Sequence, residues 1–271
     1  MNEVLFGTTL PQFSGDVDGF ERAAKQAREL GFDSVWVFDH LWPLSGGKER
    51  SILESWTTLA WLAERTEMRI GTLVTRSSLR SPAVLAHMAS TVAALAPGRL
   101  TIAIGSGDEK SRAENEAFGL PYWEGEERVA QLASTVEVVR AHLQGETVTA
   151  TDRFVDIDGL PPGPPSTPRP VLWVAGRTDD ALDVAARLAD GWNGWGGTVE
   201  RFRQDAANVV ALAGAREVEL TWAGIVRDEG SATVLAEGVI EAGARHVILT
   251  PPNASAPDAY EALGRILARL R

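Results

Sequence analysis

The chain has 271 residues, 44% hydrophobic and 23% charged, with no cysteine and a formal net charge of -11. That is enough for one substantial core. The acidity disfavours non-specific binding to nucleic acid or anionic membranes, which needs a basic surface. Lack of cysteine excludes disulfides, thiolate metal sites and a cysteine nucleophile, and fits a cytoplasmic protein.

Val4 to Thr9 reads as a short apolar strand, followed by a loop through Leu10-Pro11 to Gly15. Asp16 to Leu30 is an amphipathic helix with Phe20, Ala23, Ala24, Ala27 and Leu30 on one face. Gly31 stops it, and Ser34 to Phe38 is a strand whose unbroken apolar run predicts burial on both faces. Leu41 to Arg50 is a loop, Ser51 to Thr66 a helix, Met68 to Thr75 a strand and Arg76 to Arg80 its exit. Pro82 opens the next helix, where its missing N–H costs nothing, and Pro97-Gly98 closes it. Arg99 to Ile104 is a strand, and a longer connection leads to a helix from about Glu127 to Leu143.

A small hairpin is expected near 147–158, then a proline-rich loop over Pro161 to Pro170. Val171 to Ala175, Gly191 to Trp195, Val218 to Val226 and His246 to Thr250 are further strands. They alternate with helices over Asp179–Ala189, Val199–Leu212, Ser231–Ala242 and Pro257–Leu270. No apolar run reaches the ~18 residues that cross a bilayer, and the Met1 to Gly7 segment does not have the pattern of a secretion signal.

Three times a helix ends in glycine just before a β-rich run: Gly31, Gly191 and Gly243. Glycine is favoured there because it reaches the left-handed conformation freely. Eight strand–helix units in one chain call for a single-domain α/β fold, a closed (β/α)8 TIM barrel. An open doubly wound sheet would carry a glycine fingerprint after its first strand, and Thr8-Thr9-Leu10-Pro11 is not one.

Strand ends at one barrel mouth would then gather Asp39-His40, Thr75-Arg76, Gly107-Asp108-Glu109, Gly176-Arg177-Thr178 and Asn193-Gly194-Trp195. His40 is the histidine placed for chemistry, since His87 and His142 fall in helices and His246 opens a strand. No metal site is expected, because no two histidines stand at ligand spacing with a carboxylate. Asp39 could equally cap a solvated turn, and Gly105 to Asp108 could be a tight turn rather than a surface for a flat ring. Gly176-Arg177-Thr178 opens a helix and reads as an anion site, against simple N-capping by Thr178 with Arg177 in solvent.

Five stretches in order carry a resemblance that spans nearly the whole chain. They are Gly31-Phe-Asp-Ser-Val-Trp-Val-Phe-Asp-His40, Arg80-Ser-Pro82 with Leu85-Ala86-His-Met88, and Gly98-Arg-Leu-Thr-Ile-Ala-Ile-Gly-Ser-Gly107. Glu116-Ala-Phe-Gly-Leu-Pro121 and Ala189-Asp-Gly-Trp-Asn193 complete the set. The chain resembles the bacterial luciferase-like monooxygenase superfamily, and within it the oxidoreductases that use coenzyme F420.

The resemblance implies a barrel, often homodimeric, that holds a deazaflavin in its C-terminal mouth and acts on a small organic substrate. By position, Asp39 would hydrogen-bond the ring and His40 would be the general acid or base. Val74 and Thr75 would support the ring's back face, where the family often has a non-proline cis peptide, and Gly107 would touch the ring. Gly176, Arg177 and Thr178 would hold the phosphate. Asp108 aligns with an acidic proton acceptor of the sugar-phosphate dehydrogenase branch, one methylene shorter than the glutamate usual there. Trp36, Trp42, Trp56 and Trp195 are candidate pocket walls, though tryptophans serve first in cores.

An FMN-dependent monooxygenase supplied with reduced flavin is the alternative on the same fold. A hydrolase using Asp39 with Asp108 or Glu109 is a more distant one, and a non-catalytic flavin-binding protein a third. The short Val226–Ser231 connection leaves no room for the long insertion of larger members. An open pocket is expected, or a lid from Leu41 to Arg50.

Overall fold

A computed structural model describes residues 3–43, 50–256 and 258–271. In chain order it runs β1 (Leu5–Thr9), α1 (Val17–Glu29), β2 (Ser34–Val37), α2 (Ser55–Arg65), β3 (Arg69–Arg76), α3 (Pro82–Leu95) and β4 (Leu100–Gly105). A short helix α4 (Arg112–Ala117), a long one α5 (Gly125–Leu143) and a hairpin of β5 (Val148–Thr151) and β6 (Asp156–Leu160) follow. The chain continues through β7 (Val171–Ala175), α6 (Asp179–Leu188), β8 (Gly191–Trp195), α7 (Val199–Ala213) and β9 (Glu219–Ile225). It ends with α8 (Glu229–Glu241), β10 (His246–Thr250) and α9 (Ala259–Leu270).

Eight of the strands close a parallel barrel in the order β1-β2-β3-β4-β7-β8-β9-β10, and β5 and β6 pair antiparallel beside it. This is the (β/α)8 fold that the alternation calls for. The main core lies between barrel and helices. A second cluster fills the barrel itself with Trp36, Leu73, Ala103, Trp173, Ala223 and Ile248.

Trp36 and Trp173 stack inside at 5.1 Å between ring centroids. Glycines on neighbouring strands leave room for them: a Cβ on Gly7 would meet the Trp36 indole at 2.5 Å, and one on Gly191 would meet Trp173 at 2.6 Å. Burying an indole removes ~150–250 Å², about 4–6 kcal/mol of transfer free energy. Trp36 is therefore barrel filling and Trp56 is in the outer core, both fully buried. Neither is a pocket wall.

Several helices start one residue after a capping side chain. Asp16 accepts from Gly19 N at 2.9 Å and Asp228 from Ser231 N at 2.8 Å. Glu54 caps α2 through Trp56 and Thr57 N–H groups, so that helix begins at Ser55 rather than at Ser51. The hairpin reaches Leu160, with a register shift between Val148 and Ala150. Helix α4 interrupts what reads in sequence as a plain connection, because six residues are too few to show a period. Only Val226 to Asp228 separate β9 from α8. Most of the lid expected over Leu41 to Arg50 lies outside the described residues. No helix among the described residues is long and apolar enough to cross a membrane.

Candidate active site

Strand β2 delivers its last residues to the C-terminal mouth, and Gln12 fixes where they go. Its amide pairs with the Phe38 backbone, Nε2 donating to the carbonyl at 2.7 Å and Oε1 accepting from the N–H. Asp39 follows, buried, and its carboxylate takes four donors. Oδ1 accepts from Ser55 Oγ at 2.6 Å and Arg80 Nη2 at 3.0 Å; Oδ2 accepts from Arg80 Nη1 at 2.7 Å and the Arg76 N–H at 3.0 Å.

Arg80 also reaches Glu54. Burial alone would lower the Arg80 pKa, but Asp39 and Glu54 hold it above its ordinary value. Glu54 is held below the carboxylate range: burial opposes this, and hydrogen bonds from Thr57 and Trp56 together with the Arg80 charge outweigh it. Asp39, for which the family resemblance implies a hydrogen bond to the cofactor ring, ties the exits of β2 and β3 to the start of α2. With its acceptor positions filled by Arg80, Ser55 and a backbone N–H, it is poorly placed to be a hydrolytic nucleophile.

His40 stands next to this clamp. Its Nδ1 lies 2.8 Å from Glu114 Oε2, and among the described residues no hydrogen bond reaches Nε2. Glu114 is 1% exposed and also accepts from the backbone N–H groups of Leu41 and Trp42 and from Arg76 Nη1. Arg76 in turn bonds Asn115. Burial pushes the Glu114 pKa up, but the His40 and Leu41 hydrogen bonds and the His40 and Arg76 charges hold it below the usual range. Glu114 escapes sequence reasoning, since nothing in Arg112–Ala117 marks one acid as buried.

Aromatic rings wall the space beside His40. Phe13 stacks on Phe38 at 5.7 Å and lies 6.4 Å from His40, while Trp195 meets Phe38 edge-on at 6.0 Å across the mouth. Trp195, one of the four tryptophans named from sequence, stands against this wall.

The peptide Leu73–Val74 is cis. Val74 packs where a Cβ on Gly105 would lie, 2.6 Å away, so β3 and β4 meet closely at the mouth. Thr75 is buried with its hydroxyl on Thr72 at 2.9 Å. Gly107 has φ of 70°, a conformation that suits glycine, and a Cβ there would sit 3.0 Å from Ser111 Oγ. Asp108 is exposed and caps a one-turn 3-10 helix, Oδ1 accepting from Ser111 N at 3.2 Å.

Thr178 caps α6 through Ala181 N at 3.3 Å. Arg177 is half-buried and already has partners. Its Nε donates to Asp205 at 3.2 Å, its Nη1 to the Trp195 carbonyl at 3.1 Å, and it lies against Gly197. Asp179 and Asp180 lie in the first turn of α6, where acidic side chains favour the helix dipole.

Four buried polar atoms near this end have no partner among the described residues: Thr9 Oγ1, Thr250 Oγ1, Asn193 Oδ1 and Arg76 Nε. Gly7 and Ile248 face the barrel interior, so Thr9 and Thr250, two residues on, share that face. An unpartnered buried polar group costs ~1–3 kcal/mol, which makes this a natural seat for a flat group with both donors and acceptors.

The luciferase-like monooxygenase family model matches residues 6–228. An F420-dependent glucose-6-phosphate dehydrogenase of Beutenbergia cavernae is 35% identical over 170 residues, covering 61% of this chain and 49% of that protein. An F420-dependent hydroxymycolic acid dehydrogenase of Mycobacterium tuberculosis is 30% identical over 172 residues, 62% of this chain and 46% of that one. The chain thus spans about half the length of these curated relatives. Among solved structures, an F420-dependent secondary alcohol dehydrogenase in complex with an F420-acetone adduct superposes with a TM-score of 0.83 over 99% of both chains, at 17% identity.

Proposed function

The chain belongs to the luciferase-like monooxygenase family, and from that premise we propose that it is an F420-dependent oxidoreductase with His40 as general acid and base. The observation that carries the proposal is the imidazole itself. It is held by a buried carboxylate at the C-terminal mouth, with Nε2 unengaged among the described residues. The names of the relatives support F420 as coenzyme, and the unpartnered Thr9, Thr250, Asn193 and Arg76 atoms fit a flat heterocycle with polar edges.

When bound, the deazaflavin supplies a two-electron hydride acceptor and donor. The protein does the rest. His40 Nε2 takes the hydroxyl proton as an alcohol becomes a carbonyl and returns it in the reverse direction, a task suited to an imidazole near neutrality. Val74, Thr75 and Gly107 shape the ring's seat, and Asp39 acts on it through the Arg76 and Arg80 groups that it fixes. Gly176, Arg177 and Thr178 would hold the phosphate, and Arg177 would leave the Trp195 and Gly196 carbonyls to do so. Asp108 keeps Oδ2 for a second proton-accepting role. The guanidinium groups of Arg76, Arg80 and Arg177 are each paired with a carboxylate, and the wall beside His40 is aromatic. Neutral alcohols and carbonyls therefore rank ahead of sugar phosphates as substrates.

The test is a titration of the wild type and His40→Asn with F420 and with FMN, followed by tryptophan quenching, then turnover with secondary alcohols. F420 should bind ~100-fold tighter than FMN, about 2.7 kcal/mol. His40→Asn should bind F420 as the wild type does and turn over ~100-fold more slowly. Tighter FMN binding would move the protein to the flavin monooxygenases, and an unimpaired variant would remove His40 from the chemistry.

A further inference from the structure

We propose that Glu114 is a positioning residue that fixes which nitrogen of His40 carries the proton, and that Arg76 keeps it from taking that proton itself. This rests on the reading of His40 as the proton-exchanging group.

The geometry leaves Glu114 little freedom. One oxygen, Oε1, accepts from the Leu41 and Trp42 backbone N–H groups, which anchors the loop that carries His40. The other, Oε2, accepts from both His40 Nδ1 and Arg76 Nη1. An ionised carboxylate has acceptors alone to offer, so the neutral imidazole must place its hydrogen on Nδ1. Nε2 is then the lone-pair nitrogen, available to take a proton from a substrate hydroxyl.

Arg76 has the second part. Its guanidinium is permanently charged and 3% exposed, and its charge balances that of Glu114 whether His40 is neutral or not. The cation also holds the Glu114 pKa down, so the carboxylate orients the ring without drawing off its hydrogen. When Nε2 gains the substrate proton, Nδ1–H stays in place and no proton passes to Glu114. The arrangement works as a carboxylate–imidazole pair in which the acid sets tautomer and direction. Here it is held on a six-residue helix far from the histidine in sequence.

The experiment records two-bond 1H–15N correlations of His40 in cofactor-free protein at about pH 8.5, well above the ordinary imidazole range. The wild type should show the Nδ1–H tautomer. Glu114→Gln puts an amide N–H2 or a re-oriented carbonyl where two donors now converge. It should shift His40 to Nε2–H and lower kcat roughly 100-fold with KM little changed, as a mispositioned tautomer does. Glu114→Asp, which keeps the carboxylate, should keep Nδ1–H and recover much of the turnover.

An Nε2–H tautomer in the wild type overturns the proposal, and that spectrum needs no variant to fold. Lost turnover in Glu114→Gln with the tautomer unchanged overturns it too, since a merely structural role would give that result. The spectra involve no coenzyme, so Nδ1–H in a wild type inactive with F420 would count against the coenzyme and leave the Glu114 assignment standing.

Discussion

His246 is the residue that burial has changed most usefully for measurement. It sits edge-on to Trp36 and Trp173 inside the barrel, with centroids at 5.4 and 5.2 Å. Ser34 Oγ accepts from Trp36 Nε1 at 2.8 Å and lies 2.7 Å from His246 Nε2. Burial, with a smaller push from the Arg69 charge, lowers its pKa from 6.5 to about 3. The unfolded chain therefore takes up this proton as pH falls through about 6.5 while the folded chain refuses it. Stability from this residue is complete above that value and declines below it, by about 1.4 kcal/mol per pH unit. His142, lowered by burial and by His87, works in the same sense. Glu219, raised by burial, works in the opposite sense at the acid end. Urea unfolding of the wild type and His246→Gln between about pH 7 and pH 5 separates these terms. The wild type should lose stability more steeply than the variant; parallel slopes would show that His246 titrates as if exposed.

At the scale of elements, the mouth depends on an ion cluster that joins the exits of β2 and β3 to the start of α2. Removing one member of a buried pair leaves an uncompensated charge, which costs about 3–5 kcal/mol, against ~1 kcal/mol or less for an exposed pair. Arg80 is 12% exposed and Asp39 fully buried. Arg80→Met, which keeps the length and loses the charge, should lower the urea midpoint by an amount in the upper range, with the slope unchanged. A loss below ~1 kcal/mol would mean that Ser55 and the Arg76 N–H satisfy Asp39 without the guanidinium. The helices themselves are less demanding. Asp16, Ser81, Thr178, Thr198 and Asp228 cap five of them locally, and such signals lie within one turn of the element that they start.

At the scale of the molecule, the homodimer implied by the family is a proposal about the barrel's outer helices. Light scattering of the purified chain should give about twice 29.1 kDa; the monomer mass at micromolar concentration would remove it. The barrel is legible in the sequence because its evidence is local. Apolar runs at Ser34 to Phe38 and His246 to Thr250, glycine stops at Gly31 and Gly243, and helical spacing between them each depend on neighbours a few residues away. Alternation repeated eight times then admits few closures. The placement of Asp39 and His40 at the mouth follows from the same rule. What those side chains do there was decided by partners from distant segments. His40 meets Glu114 74 residues on, Asp39 meets Arg80 41 residues on, and Arg177 meets Asp205 28 residues on. A buried polar group takes its role from whatever satisfies its hydrogen bonds. In a closed barrel those partners come from neighbouring strand exits, so only closure could reveal that Asp39 braces the site, that Arg177 is already held, and that Glu114 stands behind the histidine.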